Sequence, residues 1–274
     1  MRVGLFIPCY VDQFYPKVAI ATLHLLEKYG CDVVYPPKQT CCGQPMANSG
    51  FEHLTGGCNA LFIQNFKDFD YIVSPSGSCV LHIKDHLHGE GHAEDERPAL
   101  SPAGSGQMTG DAQKSDLTEQ DQAAGIRGKI FELVEFLTDV LKVDRLNAKF
   151  AHKVGLHQSC HGQRGLKLSQ MTELMAPPFS KPEQLLNMVE GIELIGLDRK
   201  DECCGFGGTF CVAEEAVSVK MGKDRVADHL QHGAEYITAA DMSCLMHLEG
   251  ILRRQKSAVK VIHIAEILNG EHNG

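Results

Sequence analysis

The sequence has no excess of basic residues. Its 26 Lys and Arg face 35 Asp and Glu, which gives a formal net charge of −9 at neutral pH. Proteins that bind nucleic acid through its phosphates use clustered Lys and Arg to displace condensed counterions. We therefore expect no nucleic-acid partner.

The sequence also lacks a long apolar run. No stretch approaches the roughly 18 apolar residues that a membrane-spanning helix needs. Residues 1–9 contain a short apolar run but neither a long hydrophobic region nor a small-residue cleavage site. These absences predict a cytoplasmic protein with no transmembrane segment, while peripheral association with a redox complex stays open.

Cysteine, by contrast, is plentiful, with 11 residues in a chain of 274. In a reducing compartment so many cysteines indicate metal ligation or redox chemistry rather than structural disulfides. With 43% hydrophobic residues, the chain has enough apolar side chains for a sizeable core without disulfides. The placement of the cysteines therefore becomes the main question.

The chain reads as a tandem duplication. Four landmarks recur in the same order in both halves: Val3-Gly4-Leu5 before Cys9 and Val154-Gly155-Leu156 before Cys160; Cys41-Cys42-Gly43 and Cys203-Cys204-Gly205; Tyr71-Ile72 before Ser78-Cys79 and Tyr236-Ile237 before Ser243-Cys244; and the related segments 129–137 and 260–268. Such internal similarity has to be recognised before a fold is assigned.

Within each half, short β-rich runs alternate with helical patterns, as in βαβ units with a parallel sheet. We predict an α/β fold of two small domains related by a pseudo-twofold axis, with mainly parallel sheets. The first domain covers 1–142 and the second 151–274, and a flexible insertion rich in polar residues occupies about 89–128. The predicted strands are 2–7, 32–35, 70–74, 153–158, 192–196 and 235–239.

The cysteines follow the predicted strands. Loops at the carboxyl ends of parallel strands meet at one edge of the sheet, which is where ligands bind in such folds. Four cysteines in each half should therefore converge there as metal ligands: Cys9, Cys41, Cys42 and Cys79, then Cys160, Cys203, Cys204 and Cys244.

Four thiolates can hold zinc or an iron–sulfur cluster. Neither half has the spaced cysteine pairs of a zinc knuckle, and adjacent cysteines suit a larger multi-iron group if the loop turns. Gly43 and Gly205 permit such a turn, and Gly207 and Gly208 add backbone N–H groups that can hydrogen-bond to cluster sulfurs. The glycine-rich stretch lacks a dinucleotide fingerprint and a Walker lysine, so we predict no nucleotide site.

Other candidate residues receive simpler interpretations. Cys31, Cys58 and Cys211 have no partner in the other half, so we expect them in the core. His82 and His86 are four residues apart on a predicted helix, where a solvated face is the simpler interpretation. His161 directly follows Cys160, and a hydrogen bond to a cluster or a role as proton donor is the less favoured interpretation of it.

Several motifs together resemble the cysteine-rich proteins with a duplicated CCG motif, a family that includes the glycolate oxidase iron–sulfur subunit and the CCG-containing subunit of heterodisulfide reductase. The resemblance is carried by Cys41-Cys42-Gly43-Gln44-Pro45, residues 74–79, residues 203–210 and Asp241-Met242-Ser243-Cys244-Leu245. The fullest family motif ends in Cys-x-x-Cys and supplies five cysteines to a pair of fused non-cubane clusters. Here Ser76 and Asp241 replace the first of those cysteines, which implies a [4Fe–4S] cluster or a modified cluster with an oxygen ligand.

The resemblance also implies a function. It is strongest to the small iron–sulfur component of three-part systems that oxidise L-lactate to pyruvate, with the other lactate-utilisation subunits as partners. On this interpretation the chain transfers electrons through iron–sulfur clusters and has no catalytic residues of its own that we can name. Two alternatives stay open: a thiol or disulfide reductase subunit that acts at a cluster, and a zinc-stabilised assembly protein without redox chemistry.

Overall fold

The computed structural model of the chain describes residues 1–89 and 118–270, and these residues form two four-stranded parallel sheets. The first sheet has the order β2-β1-β3-β4 and the second β6-β5-β7-β8. Their strands are β1 (Arg2–Leu5), β2 (Asp32–Val34), β3 (Tyr71–Ser74), β4 (Ile130–Glu132), β5 (Lys153–Leu156), β6 (Glu193–Leu194), β7 (Tyr236–Ala239) and β8 (Lys260–His263). The predicted α/β class and the duplication are confirmed.

Helices connect the parallel strands, as a crossover between them requires. The first half contains α1 (Cys9–Phe14), α2 (Pro16–Lys28), α3 (Gln44–Asn48), α4 (Gly56–Phe66), α5 (Gly77–His86), α6 (Glu119–Lys129) and α7 (Leu133–Glu135). The second half contains α8 (Lys181–Leu186), α9 (Phe210–Ala213), α10 (Glu215–Gln231), α11 (Met242–Arg254) and α12 (Ile264–Asn269). A 3₁₀ turn covers Glu52–Leu54, and π-helical turns cover Phe136–Val140 and His161–Gly165.

The fourth strand of each sheet is a feature that the strand prediction missed. Strand β4 pairs with β3, and β8 pairs with β7 in the same parallel sense. Both strands end in a buried polar side chain that caps the next helix: Glu132 accepts from the Val134 N–H at 2.7 Å, and His263 Nδ1 accepts from the Ala265 N–H at 3.1 Å. Both strands pass directly into a helix, with no turn residues to mark a boundary, although the repeat had already matched the two segments.

The predicted insertion at 89–128 is wrong at its carboxyl end. Residues Glu119–Lys129 form α6, which begins with a capping box between Thr118 and Asp121. Ala123 and Ile126 of this helix are buried in the first-half core. The rest of the predicted insertion, residues 90–117, lies outside the described residues.

The two halves share a large apolar cluster, which is separate from the cluster that contains Ala123 and Ile126. Helix α12 of the second half packs against α2 of the first, and α7 of the first packs against α8 of the second. The same buried cluster contains Leu25 and Val134 from the first half and Leu186 and Ile267 from the second. The division into 1–142 and 151–274 stays a prediction, and the last helix of each half packs against the other half.

The two halves also meet through their equivalent residues Ser76 and Asp241, which form an isolated antiparallel bridge. Both side chains are fully buried. Because each residue precedes the helix that follows the third strand of its half, the carboxyl edges of the two sheets are brought close together. Within residues 1–89 and 118–270, no helix has the length and apolar character needed to cross a membrane.

Candidate metal centre

The first-half cysteines converge as the strand-end prediction expected. Cys9 begins α1 after β1, Cys41 and Cys42 lie between β2 and α3, and Cys79 is in the first turn of α5 after β3. The thiols of Cys42 and Cys9 donate hydrogen bonds to the Cys41 sulfur and lower the pKa of Cys41 to about 2. Cys42 also hydrogen-bonds with Cys79. The four sulfur atoms therefore form one continuous cluster.

The second-half cysteines repeat this arrangement. Cys160 follows β5, Cys203 and Cys204 follow β6, and Cys244 lies in the first turn of α11. Hydrogen bonds from the Cys160 and Cys204 thiols lower the pKa of Cys203 to about 2, and Cys204 hydrogen-bonds with Cys244. In each half a thiolate is stabilised at the first cysteine of the adjacent pair, although the role of these residues as metal ligands stays a prediction.

Both adjacent cysteine pairs lie on a tight turn that ends at a glycine. Gly43 has φ +92° and Gly205 has φ +87°, a region that residues with a Cβ atom seldom adopt. The Gly43 N–H donates to Cys41 Sγ at 3.4 Å, and the Gly205 N–H donates to Cys203 Sγ at 3.3 Å. The turn thus directs both sulfurs of a pair towards the same side, where one metal centre could contact both.

The second turn continues through Gly207 and Gly208, which also have positive φ angles. The hydroxyl of Thr209 donates to the carbonyl of Asn48 at 3.3 Å, so this loop contacts the first half of the chain. The predicted hydrogen bonds from these glycines to cluster sulfurs stay a prediction.

Ser76 and Asp241 already have protein partners. Asp241 Oδ1 accepts hydrogen bonds from the Ser243 N–H, the Ser243 hydroxyl and the Tyr10 hydroxyl. Asp241 Oδ2 accepts from the Ser78 N–H of the other half at 2.7 Å. Ser76 Oγ accepts from the Cys79 N–H at 3.4 Å. Either residue would lose some of these hydrogen bonds if it bound a metal. Their role as helix caps is observed, and their role as cofactor ligands stays a prediction.

The structure adds His157, which the sequence interpretation missed. A ring nitrogen of His157 and the Sγ atoms of Cys204 and Cys244 all lie within 4.8 Å of one another. Neither ring nitrogen has a hydrogen-bond partner within the described chain, although the side chain is 1% exposed. Burial lowers the pKa of His157 to about 3, so the imidazole is neutral. Its place directly after β5 was the one available signal.

The interpretation of His82 as part of a solvated helix face is wrong. The side chain is buried, and its Nε2 lies 3.5 Å from where a Cβ would extend from Gly43. Its ring stacks on that of His86, with 4.9 Å between ring centroids. Burial lowers the pKa of His82 to about 4. The first CCG turn therefore has a neutral imidazole beside it.

The three unmatched cysteines differ in their surroundings. Cys31 is buried in the core, as expected. Cys58 and Cys211 are only partly buried, so core packing does not describe them. The negative charge on Cys41 raises the pKa of Cys58, after burial as the larger cause, and Cys58 is therefore close to the first site. For His161 the predicted contact with a cluster stays a prediction.

The donor set fits a metal or an iron–sulfur group. Each half offers four neighbouring thiols, one of them with a low pKa, and thiolates bind both Zn²⁺ and iron–sulfur clusters. His157, which has no hydrogen-bond partner within the described residues, adds a polar side chain beside Cys204 and Cys244 at the second site. Four sulfurs per half suffice for either kind of centre.

Comparisons with known proteins agree with the duplicated architecture. The profile of the CCG cysteine-rich domain matches residues 3–84 and again residues 154–249. The chain is 39% identical over 270 residues to lactate utilization protein A of an Exiguobacterium species, with 98% of this chain and 97% of that protein covered. It is 37% identical over 269 residues to lactate utilization protein A of Bacillus subtilis, covering 98% and 99% of the two chains.

A solved structure shares the fold at low sequence identity. The crystal structure of a hypothetical protein from Helicobacter pylori superposes with a TM-score of 0.57 and 13% identity, covering 99% of this chain and 49% of that one. This chain therefore spans about half the length of that protein. The likeness concerns the fold alone.

Proposed function

Since the chain belongs to the CCG cysteine-rich family, we propose that it is the iron–sulfur electron-transfer subunit of a multi-component system that oxidises L-lactate to pyruvate. The observation that carries this proposal is the pair of equivalent four-thiol sites in a chain that aligns over nearly its whole length with lactate utilization protein A. Family membership supports the broader role in lactate utilisation.

Each site has a defined set of ligands in this proposal. Cys9, Cys41, Cys42 and Cys79 would hold one [4Fe–4S] cluster, and their counterparts Cys160, Cys203, Cys204 and Cys244 a second. A bound cluster supplies reversible storage of one electron. The protein contributes low-pKa thiolates at Cys41 and Cys203 and the N–H groups of Gly43 and Gly205, which hold the sulfurs in place.

The chain would need a partner for the chemistry of lactate itself. Conversion of lactate to pyruvate removes two electrons and two protons, and the sequence has no dinucleotide fingerprint for a hydride acceptor. We propose that another lactate-utilisation subunit removes them and that this subunit passes the electrons on, one at a time, to an oxidised carrier. Cys9 is exposed, whereas Cys42 and Cys79 are buried, so the first site is open to a partner at Cys9.

The proposal places this chemistry in the cytoplasm. All 11 cysteines are unpaired, which suits a reducing compartment. Several of them are close enough to hydrogen-bond, and an oxidising compartment would expose such neighbours to disulfide formation.

The experiment that tests the proposal is purification of the full chain without oxygen, followed by iron and acid-labile sulfide analysis and electron paramagnetic resonance. We expect iron and sulfide in equal amounts and a signal that appears on reduction. Lactate should reduce the clusters only when the partner subunits are added. A colourless, zinc-loaded and iron-free sample would favour the zinc-stabilised assembly protein, and lactate oxidation by the chain alone would overturn the subunit role.

A second candidate function is thiol or disulfide reduction at the first site. Exposed Cys9 lies next to Cys41, whose pKa of about 2 makes it a thiolate. A disulfide substrate could exchange there if an iron position or a thiol were free. Turnover of a disulfide with a reduced dye, by the iron-loaded chain without partners, would favour this function over electron transfer.

A further inference from the structure

The same core position is filled differently in the two halves. In the first half, Phe6 directly follows β1 and packs against Phe62 and Phe66, with ring centroids 4.9 Å and 5.7 Å away. In the second half the residue directly after β5 is His157. The repeat therefore places an imidazole where the first half has a phenyl ring.

The helix that covers this position changes in the same way. Phe66 lies over the strand glycine Gly4, where an added Cβ would be 2.9 Å from its ring. His229 lies over the equivalent Gly155, where an added Cβ would be 2.1 Å from Nδ1. Arg225 precedes His229 by one helical turn, as Phe62 precedes Phe66. An aromatic cluster in one half thus corresponds to two histidines and an arginine in the other.

These polar side chains are completely buried and only partly satisfied. Arg225 and His229 are 0% exposed and His157 is 1% exposed. Arg225 Nη1 donates to the Arg199 carbonyl and, at 3.1 Å, to Asp228 Oδ2. Its Nε and Nη2, like the ring nitrogens of His157 and His229, have no partner within the described residues. Such groups cost free energy in a core that phenyl rings fill well, and packing alone does not explain His157 and Arg225, which lie near the second thiol site.

Both His157 and Arg225 lie near the second thiol site. His157 has a ring nitrogen within 4.8 Å of the Cys204 and Cys244 sulfurs. Arg225 interacts electrostatically with Cys204 and also lies close enough to His157 to disfavour its protonation. At the first site, Phe6 and Phe62 can supply neither a hydrogen bond nor a charge. Hydrogen bonds to sulfur and nearby positive charge are the means by which a protein raises the reduction potential of such a centre.

We propose that the two sites are functionally unequal: when the second site is loaded, the unpartnered ring N–H of His157 becomes a hydrogen-bond donor to its sulfur ligands, and Arg225 places a buried positive charge beside them. Together they give the second-half centre the higher reduction potential. Electrons then pass from the first half, where Cys9 is exposed, to the second. This inference rests on the proposed iron–sulfur function and deepens it by setting a direction of transfer.

The experiment is a potentiometric titration of the iron-loaded full chain, followed by electron paramagnetic resonance. We expect two separable transitions in the native chain, and loss of the higher-potential one in Cys203→Ser. His157→Phe copies the first half and should shift the higher transition downward, towards the lower one. Arg225→Met should shift it in the same direction, while Phe6→His should raise the lower one.

Two further variants separate a specific effect from a structural one. His229→Phe copies Phe66 over its glycine and removes a buried imidazole that does not reach the sulfurs, so it should leave both transitions in place. His157→Gln keeps an N–H donor and should retain most of the potential difference. If His157→Phe loses its iron, the shifts in His157→Gln and Arg225→Met decide the question.

The failures of the two proposals are distinguishable. An iron-free native chain would overturn the proposed function. An iron-loaded chain whose two transitions and resonance signals are unchanged in His157→Phe and Arg225→Met would overturn only the inequality of the sites. A native chain with a single transition for both centres would also overturn it.

Discussion

Asp241 reaches across the boundary between the two halves to accept a hydrogen bond from the Ser78 N–H at 2.7 Å, whereas its equivalent, Ser76, caps only its own helix. The repeat is therefore asymmetric at its centre. The Asp241 carboxylate accepts N–H groups from the amino termini of two helices, Ser78 of α5 and Ser243 of α11. A negative charge is favourable at both helix ends.

Asp241→Ala should destabilise the protein more than Ser76→Ala. The first removes the acceptor for Ser78 and Ser243 in a buried site, which we expect to cost about 3 kcal/mol, and the second removes one cap at about 1 kcal/mol. Asp241→Ser, which copies the first half, should fall between them. Denaturant unfolding checks the order, and equal losses for the two alanine variants would contradict the bridging role.

Cys41→Ser and Cys203→Ser should each lower the iron content by roughly half, because each removes a thiolate from one four-sulfur site. Cys31→Ser is the matched control. Cys31 is buried in the core away from both sites, so its loss should affect stability and leave the iron content unchanged. Iron and sulfide analysis of the three variants provides the measurement. Loss of iron from Cys31→Ser would contradict the assignment of the iron to the two four-sulfur sites.

Alanine substitutions at Gly43 and Gly205, the glycines of the two CCG turns, should lower the stability of the protein by different amounts. A left-handed backbone costs any L residue about 1–2 kcal/mol. At Gly205 the added Cβ would also lie 2.6 Å from the Ser218 carbonyl, and at Gly43 it would lie 3.2 Å from Thr55 Cγ2. Gly30 also has a positive φ, but an added Cβ there would have no atom within 4 Å. Gly30→Ala therefore measures the cost of the left-handed backbone alone. The loss of unfolding free energy should rank Gly205 above Gly43 and Gly43 above Gly30.

The buried His229 should make the protein sensitive to mild acid. Burial lowers its pKa from 6.5 to about 2, so below pH 6.5 the unfolded chain binds a proton that the folded chain does not. Stability is then lost as the pH falls, by up to about 1.4 kcal/mol per pH unit for this residue. His229→Phe should flatten the slope of unfolding free energy between pH 7.5 and 5, and parallel slopes for the two proteins would refute this account.

The sequence predicted the duplication and the convergence of the cysteines because both depend on local order along the chain. Cys41 and Cys203 follow short strands, and the carboxyl ends of parallel strands must share an edge. His157 was missed and His82 was wrongly interpreted as solvated, because the role of a histidine depends on what surrounds it in space. Their burial depends on helices that are distant in sequence or packed across the sheet, and no spacing rule describes that.

The limits of the fold prediction have a similar cause. Strands β4 and β8 run directly into helices without turn residues between them. Ala123 and Ile126 are too few apolar residues to distinguish α6 from a polar insertion. The shared core was also missed, since a pattern that repeats in two halves says nothing about which half covers which helix. Only tertiary packing places α12 on α2 and α7 on α8.

The packing of each half's last helix on the other half resembles the interface of a symmetric dimer. In a symmetric homodimer, any contact that one subunit makes with its partner is returned by the partner. The pairs α2 with α12 and α7 with α8 obey that rule within one polypeptide, and Ser76 meets its own counterpart, Asp241, where the symmetry axis would pass. The single chain thus has the contact pattern of a symmetric dimer, although the equivalent positions Ser76 and Asp241, and Phe6 and His157, carry different side chains.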